Sequence, residues 1–248
     1  MIVQENLIKV VKYFLKKAKL EIRRTHIHDT SEHSPTPMSK LVPTRSILDL
    51  AILENMAHKI PGMSNPPDLK ILSALCFYQT QVGDVVEIGS WQGRSTVFLK
   101  YATDSSNNGQ FFAIDNFKGN IGFEKEYMVG ASDLSDLKSN FLLNMRNAGI
   151  KDISLLDMKS EEAVLSLKKQ IRFLFIDGDH SPEGVMQDVK LFYPHLVESA
   201  IVVFDDFAAH VPGVLNVATE YLSDGRFIEP LTYRNTLIVR KGTSLTEK

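Results

Sequence analysis

The sequence predicts an α/β fold, a doubly wound and mostly parallel sheet with helices on both faces, preceded by a helical extension at the N-terminus. Three observations predict it. Five short apolar runs, DVVEIG, FFAID, ISLLD, FLFID and AIVVFDD, follow one another after Gly83, and each ends in acid or glycine. A polar or helix-patterned stretch follows each run, as strand-helix alternation requires. The runs are continuously apolar rather than alternating, which marks strands buried on both faces. The hairpin-like LTYRNTLIVR near the end brings the strand number to seven.

The first element is a helix over MIVQENLIKVVKYFLKKAKLEIRR, where Val3, Leu7, Val10, Val11, Phe14, Leu15, Ala18 and Ile22 share one face and Lys9, Lys12, Lys16, Lys19 and Arg23 lie opposite. It packs on its own domain, docks on a second subunit or lies on an anionic membrane surface. THIHDTSEHSPTPMSK then reads as a linker, and its His26, His28 and His33 are loop histidines without the scaffold a metal needs. Residues 1–45 thus form an extension and 46–248 the α/β domain. From Ser46 to about Tyr78 two helical patterns flank IPGMSNPPD, whose prolines suit a turn and a first helical position.

With 248 residues, 44% hydrophobic, 23% charged and a net charge of −2, the chain has material for one sizeable core and no broad basic surface for nucleic acid. The single Cys76 lies in the apolar LKILSALCFY and reads as a buried free thiol. No apolar run reaches the length of a membrane span and no signal peptide is visible, so a cytoplasmic protein is expected.

In parallel sheets ligands bind at the carboxyl ends of the strands. Here those ends carry Glu87, Asp115, Asp157, Asp177 and Asp205. In VVEIGSWQGRST, Gly89 and Gly93 bracket the turn from the first strand into its helix, allowing tight backbone and close approach of a ligand. Their G-x-x-x-G spacing is not the G-x-G-x-x-G of a dinucleotide site, and an acid two residues before Gly89 suits a cationic or donating ligand better than phosphate. Asp115 closes the second strand, where a carboxylate can accept ribose hydroxyls. The alternative for each is structural: a tight turn and a helix cap.

Together these residues resemble the class I S-adenosylmethionine (SAM) dependent methyltransferases, whose fold is Rossmann-like. The resemblance runs from about Ile60 to Arg240, through IPGMSNPPDLKIL, EIGSWQGRST, NFLLNMRNAGIKDISLL, DGDHSPEGV and VVFDDF. Within the class it is similar to the metal-dependent small-molecule O-methyltransferases, including those acting on catechols and macrolide sugars. The resemblance implies cofactor contacts from Glu87, Gly89, Ser90, Trp91, Gly93, Ser95, Asp115, Asn116, Met158, Ser160 and Asp177. It implies a metal, with Mg²⁺ the natural choice, on Asp177, Asp205 and Asp206, and a histidine base at His180. Two positions depart from the pattern: Pro182 stands where relatives often have an aromatic residue, and Met158-Lys159-Ser160 where many have Gly-Asp-Ser.

Chemistry supports the same reading. Methyl transfer to a hydroxyl needs in-line placement and loss of the acceptor's proton. A hard cation on carboxylate oxygens lowers the acceptor's pKa. Two adjacent acids after an apolar strand repel unless a cation or proton lies between them. His180, three residues past Asp177, is the expected base with Asp179 orienting it. Asp179 as the base, or both residues as parts of the helix start at Ser181-Pro182-Glu183, are the alternatives. The long connection NFKGNIGFEKEYMVGASDLSD reads as a lid, with Lys118, Glu124 and Tyr127 as acceptor contacts. Tyr233 and Asn235 are read as structural. The expected function is SAM- and Mg²⁺-dependent O-methylation of a small hydroxylated acceptor, a sugar or glycoside first. A hydroxylase on the same metal site, a nicotinamide enzyme and a non-catalytic SAM-binding scaffold are the rivals.

Overall fold

A computed structural model describes residues 50–119 and 136–243. The expected basic helix, the linker histidines His26, His28 and His33, and Glu124 and Tyr127 of the long connection lie outside the described residues. The elements run α1 Leu50–Ala57, α2 Pro66–Tyr78, β1 Asp84–Ile88, α3 Arg94–Ser106, β2 Phe111–Ile114, α4 Leu137–Asn147, β3 Ser154–Leu156, α5 Ser160–Ala163, β4 Ile171–Ile176, α6 Pro182–Phe192, β5 Leu196–Phe204, α7 Pro212–Ser223, β6 Phe227–Tyr233 and β7 Thr236–Lys241. Among the described residues, no helix is long and apolar enough to cross a membrane.

The seven strands form one sheet in the order β3-β2-β1-β4-β5-β7-β6. β1 to β5 are parallel, while β7 runs antiparallel to β5 and β6 antiparallel to β7. Side chains alternate between faces along each strand, so successive apolar residues feed two cores. Val85 and Phe173 join Leu72, Phe98 and Phe141 on the face covered by α1 to α4. Val86 and Leu174 join Val185, Phe192 and Val217 on the face covered by α6 and α7. This is why the runs read as continuously apolar. The expected hairpin is β6–β7, with Arg234 at its tip in a left-handed conformation.

Two helix starts follow from local chemistry. Pro66 and Pro67 open α2 after Asn65, where a missing N–H costs no helical bond. Ser181 caps α6, its hydroxyl accepting from the Gly184 N–H at 3.1 Å ahead of Pro182. At the other end of the sheet Arg172 is fully buried on β4. It donates to the Cys76 carbonyl at 2.6 Å and to the Ser106 hydroxyl at 3.0 Å, in the last turns of α2 and α3. A cation suits those helix ends, where unpaired carbonyls collect. Cys76 beside it is a fully buried free thiol, and burial raises its pKa.

Candidate active site

The turn after β1 is fixed by backbone conformation. Gly89 and Gly93 have φ of 84° and 89°, and Trp91 between them has φ 44°. A Cβ on Gly89 would fall on the Asp177 carbonyl, and one on Gly93 would meet the Met145 methyl. The glycines are therefore required by the close approach of β4 and α4 as well as by the turn. Asp115, at the end of β2, fastens this turn from the side. Its Oδ2 accepts the N–H groups of Ser90 at 2.9 Å and Trp91 at 2.7 Å, and its Oδ1 accepts that of Phe117 at 2.7 Å. Burial raises the Asp115 pKa against the pull of these three donors. With two acceptor sites per oxygen, Oδ1 keeps one for a hydroxyl. Asn116 beside it accepts from the Lys118 N–H at 2.9 Å.

Under the turn lies Glu87, fully buried. Its Oε2 accepts from the Thr96 hydroxyl at 2.5 Å and the Ser90 hydroxyl at 3.1 Å. Its Oε1 is buried with no hydrogen-bond partner among the described residues. Burial pushes its pKa to about 7, against the hydroxyls of Ser95, Thr96 and Ser90. A buried, unengaged carboxylate oxygen costs free energy until a donor meets it. The ammonium of an amino-acid ligand is such a donor, so this turn fits SAM. Thr96 was not singled out from the sequence; a hydroxyl in the first turn of the helix facing a buried acid was the available signal.

One strand across, the ends of β4 and β5 bring Asp177, His180, Asp205 and Asp206 together. His180 lies between two carboxylates, with Nε2 3.6 Å from Asp177 Oδ1 and Nδ1 3.4 Å from Asp206 Oδ2. Burial opposes protonation of the imidazole, but Asp177, Asp206 and Asp205 outweigh it and its pKa is raised. Asp205 is pushed to about 8 by burial and by the charges of Asp177 and Asp206. Its Oδ1 takes a long hydrogen bond of 3.4 Å from the Thr236 hydroxyl of β7. Asp206 adopts φ 52°, an uncommon backbone conformation for a residue with a side chain. The donor chemistry, oxygen-rich and mutually repulsive, fits a hard divalent cation. The arrangement does not yet form a ligand shell: among the described residues, no group of three or more His, Cys, Asp or Glu side chains is placed to hold a metal.

Asp179 has a different partner from the one expected. Its Oδ1 accepts from the Ser181 N–H at 2.9 Å and its carboxyl packs against Gly184, so it joins the start of α6, and the acids that face His180 are Asp177 and Asp206. Met158 packs on the α6–α7 side of the core and Ser160 opens α5, where its hydroxyl meets Asp188. Asp188 is buried on α6 with its pKa pushed to about 6 by burial, and it lies outside the motifs that point to the site. The signal was an acid on the stripe of Val185, Val189 and Phe192. A cleft of about 600 Å³ is lined by Asn55, Met56, Lys59 and Ile60 around α1 and by Asn144, Asn147 and Ala148 of α4 and its end, and Asn144 donates to the Gln92 carbonyl of the glycine turn at 2.9 Å. Its lining presents no acid, histidine or cysteine, the residue types that gather at the ends of β4 and β5.

Residues 86–207 match a family model described as a methyltransferase domain. The uncharacterised protein R132 of Acanthamoeba polyphaga mimivirus is 25% identical over 146 residues, covering 56% of this chain and 59% of the relative. The chain therefore spans less than two thirds of the length of that curated relative. Among solved structures, the O-methyltransferase NovP superposes with a TM-score of 0.61 at 16% identity, over 97% of this chain and 100% of its own. The SAH-bound methyltransferase PaMTH1 of Podospora anserina gives 0.58 at 12%, over 82% and 89%. TomG of Streptomyces achromogenes, an O-methyltransferase of tomaymycin synthesis in complex with SAM, gives 0.54 at 16%, over 83% and 94%. At these identities the likeness is one of fold.

Proposed function

We propose, from the match of residues 86–207 to the methyltransferase domain model, that the chain is a SAM-dependent O-methyltransferase whose acceptor is a small hydroxylated molecule. The carrying observation is the buried Glu87 Oε1 without a partner, beneath a turn whose Gly89, Trp91 and Gly93 all have positive φ and at whose edge Asp115 keeps one acceptor site. Glu87 would take the cofactor's ammonium, the free N–H groups at the start of α3 its carboxylate, and Asp115 a ribose hydroxyl. Ser90, Trp91, Ser95 and Asn116 would add further cofactor contacts, and Met158 and Ser160 would stand on the adenine side. SAM supplies an electrophilic methyl on a sulfonium, and the protein's part is to bring the acceptor oxygen in line and remove its proton.

Asp177, Asp205 and Asp206 would hold a divalent cation, Mg²⁺ first, which when bound lowers the pKa of the acceptor hydroxyl. His180, between Asp177 and Asp206, is the base we assign to that proton; Asp179, engaged at the start of α6, is the weaker candidate. The crowding that raises Asp205 supports a cation there, because a charge between the acids relieves it. Residues 46–248 would form the catalytic domain and the extension an assembly or membrane-surface element. A sugar or glycoside acceptor and a cytoplasmic setting complete the reading.

The deciding experiment is calorimetric titration of the full chain with SAM and, separately, with NADH. It is followed by mass spectrometry of hydroxylated acceptors incubated with SAM, with and without Mg²⁺. Micromolar SAM binding, no NADH binding and a product heavier by one methylene are expected. SAM binding with no product from any acceptor would favour the non-catalytic scaffold. An oxygenated product would favour a hydroxylase.

A further inference from the structure

Arg94 opens α3 directly after Gly93, at a helix N-terminus, where the macrodipole disfavours a cation. Among the described residues, no carboxylate pairs with it, and burial lowers its pKa. Its guanidinium instead turns back onto the segment between α1 and α2. Nε donates to the Ile60 carbonyl at 2.7 Å, and Nη1 donates to the Gly62 carbonyl at 2.6 Å and to the Ser64 carbonyl at 3.3 Å. Three carbonyls of one five-residue loop thus converge on one planar fork, a geometry that lysine cannot reproduce. The fit is close from the loop's side too. A Cβ on Gly62 would lie 2.6 Å from Arg94 Nε and 2.7 Å from its Cδ.

The topology gives this fastening a location. α3 begins at the carboxyl end of β1, so a loop held against its first residue stands at the ligand edge, beside the Gly89–Gly93 turn. The loop is held by its backbone and displays Met63, 61% exposed, next to Gly62. Helix stability does not account for an arginine here, since the position opposes the dipole. Holding three inward-facing carbonyls does account for it, because each would otherwise need another donor.

We propose that Arg94 is a positioning residue that fixes the loop 60–64 as a preformed wall of the cofactor cleft, so that SAM meets a loop already ordered. The proposal rests on the SAM reading above. A preformed wall spares the entropy of ordering the loop on binding, which is how an arginine whose side chain touches no ligand governs affinity.

The test uses the full chain with Arg94→Ala, Arg94→Lys, Gly62→Ala and the Ala/Ala double variant, reading SAM affinity by calorimetry and backbone hydrogen exchange by mass spectrometry. Arg94→Ala is expected to weaken SAM roughly 10–100-fold, the scale of lost hydrogen bonds to a charged group. It should also speed exchange across 60–65 while α3 keeps its protection. Guanidinium ion at low millimolar concentration should restore part of both effects, and Arg94→Lys little of either. Gly62→Ala should reproduce the loss, with the double variant no worse than a single one. Wild-type SAM affinity in Arg94→Ala overturns the proposal, as does a loop that stays protected, or loss of protection throughout α3. Absence of SAM binding by the wild-type chain would sink the cofactor reading instead, and exchange in 60–65 would still decide whether Arg94 fastens the loop.

Discussion

Replacing Glu87 by glutamine should change how stability depends on pH. Glu87 is fully buried and its pKa rises from the usual 4.5 to about 7, chiefly through burial. The folded protein therefore holds this proton more tightly than the unfolded chain. The sign follows from that: the contribution to stability is fully present below about pH 4.5 and is lost as pH rises through about 7. At about 1.4 kcal/mol per pKa unit, the loss across that window is about 3 kcal/mol. Glutamine has nearly the same shape, keeps an oxygen for the Thr96 and Ser90 hydroxyls and cannot ionise. Urea denaturation of the ligand-free wild type and of Glu87→Gln should show the wild type losing about 3 kcal/mol relative to the variant between pH 4.5 and 8. Taking the difference removes the parallel contributions of Asp188 and Asp205, which shift in the same direction. Curves that stay parallel across the window would refute the reasoning. In the wild type, SAM binding near pH 6.5 should release a proton, seen as a binding heat that varies with the buffer's ionisation enthalpy.

Asp115→Ala should weaken SAM by roughly 1.5–3 kcal/mol, the scale for hydrogen bonds to a charged acceptor, and unchanged calorimetric affinity would remove Asp115 from the site. His180→Ala should lower kcat roughly 10²–10⁴-fold with SAM affinity retained; near-normal turnover with an unmoved acid limb of the pH profile would take the base role from His180. Arg172→Met should destabilise the protein by about 2–4 kcal/mol in thermal or chemical unfolding, because the Cys76 carbonyl and Ser106 hydroxyl lose a charged donor. It should leave SAM affinity alone, since Arg172 lies at the opposite end of the sheet from the glycine turn.

The five parallel strands were legible because burial on both faces leaves unbroken apolar runs. Their starts were less so. β4 begins at Ile171, ahead of the expected Phe173, because a buried Arg172 interrupts the run. β5 begins at Leu196, four residues before the apolar AIVVF, since Val197 to Ser199 are only half-buried or exposed. The acids at the strand ends could be placed because strand polarity alone puts them on one edge. Which of them face each other depends on side-chain direction beyond the strands, where periodicity gives no guide. Asp179 turned to the Ser181 N–H for this reason, while His180 found Asp177 and Asp206. Arg94 was invisible as a fastener, because its partners are carbonyl groups some thirty residues earlier and a backbone oxygen leaves no trace in the sequence.

The strand order has a consequence for synthesis on the ribosome. β1 lies between β2 and β4, and its partner β4 ends at Ile176, almost ninety residues after β1 ends at Ile88. At roughly 5–20 residues per second, the nascent chain carries one unpaired edge of β1 for about 4–18 seconds before the strand that closes it is made. β2 and β3 are made meanwhile but lie on the other side of β1, so they cannot shield that edge. Arg172 arrives with the closing strand and reaches back to Cys76 and Ser106, which until then have no such donor. A stalled fragment ending before Ile171 would therefore present β1 as an open edge for pairing with another copy.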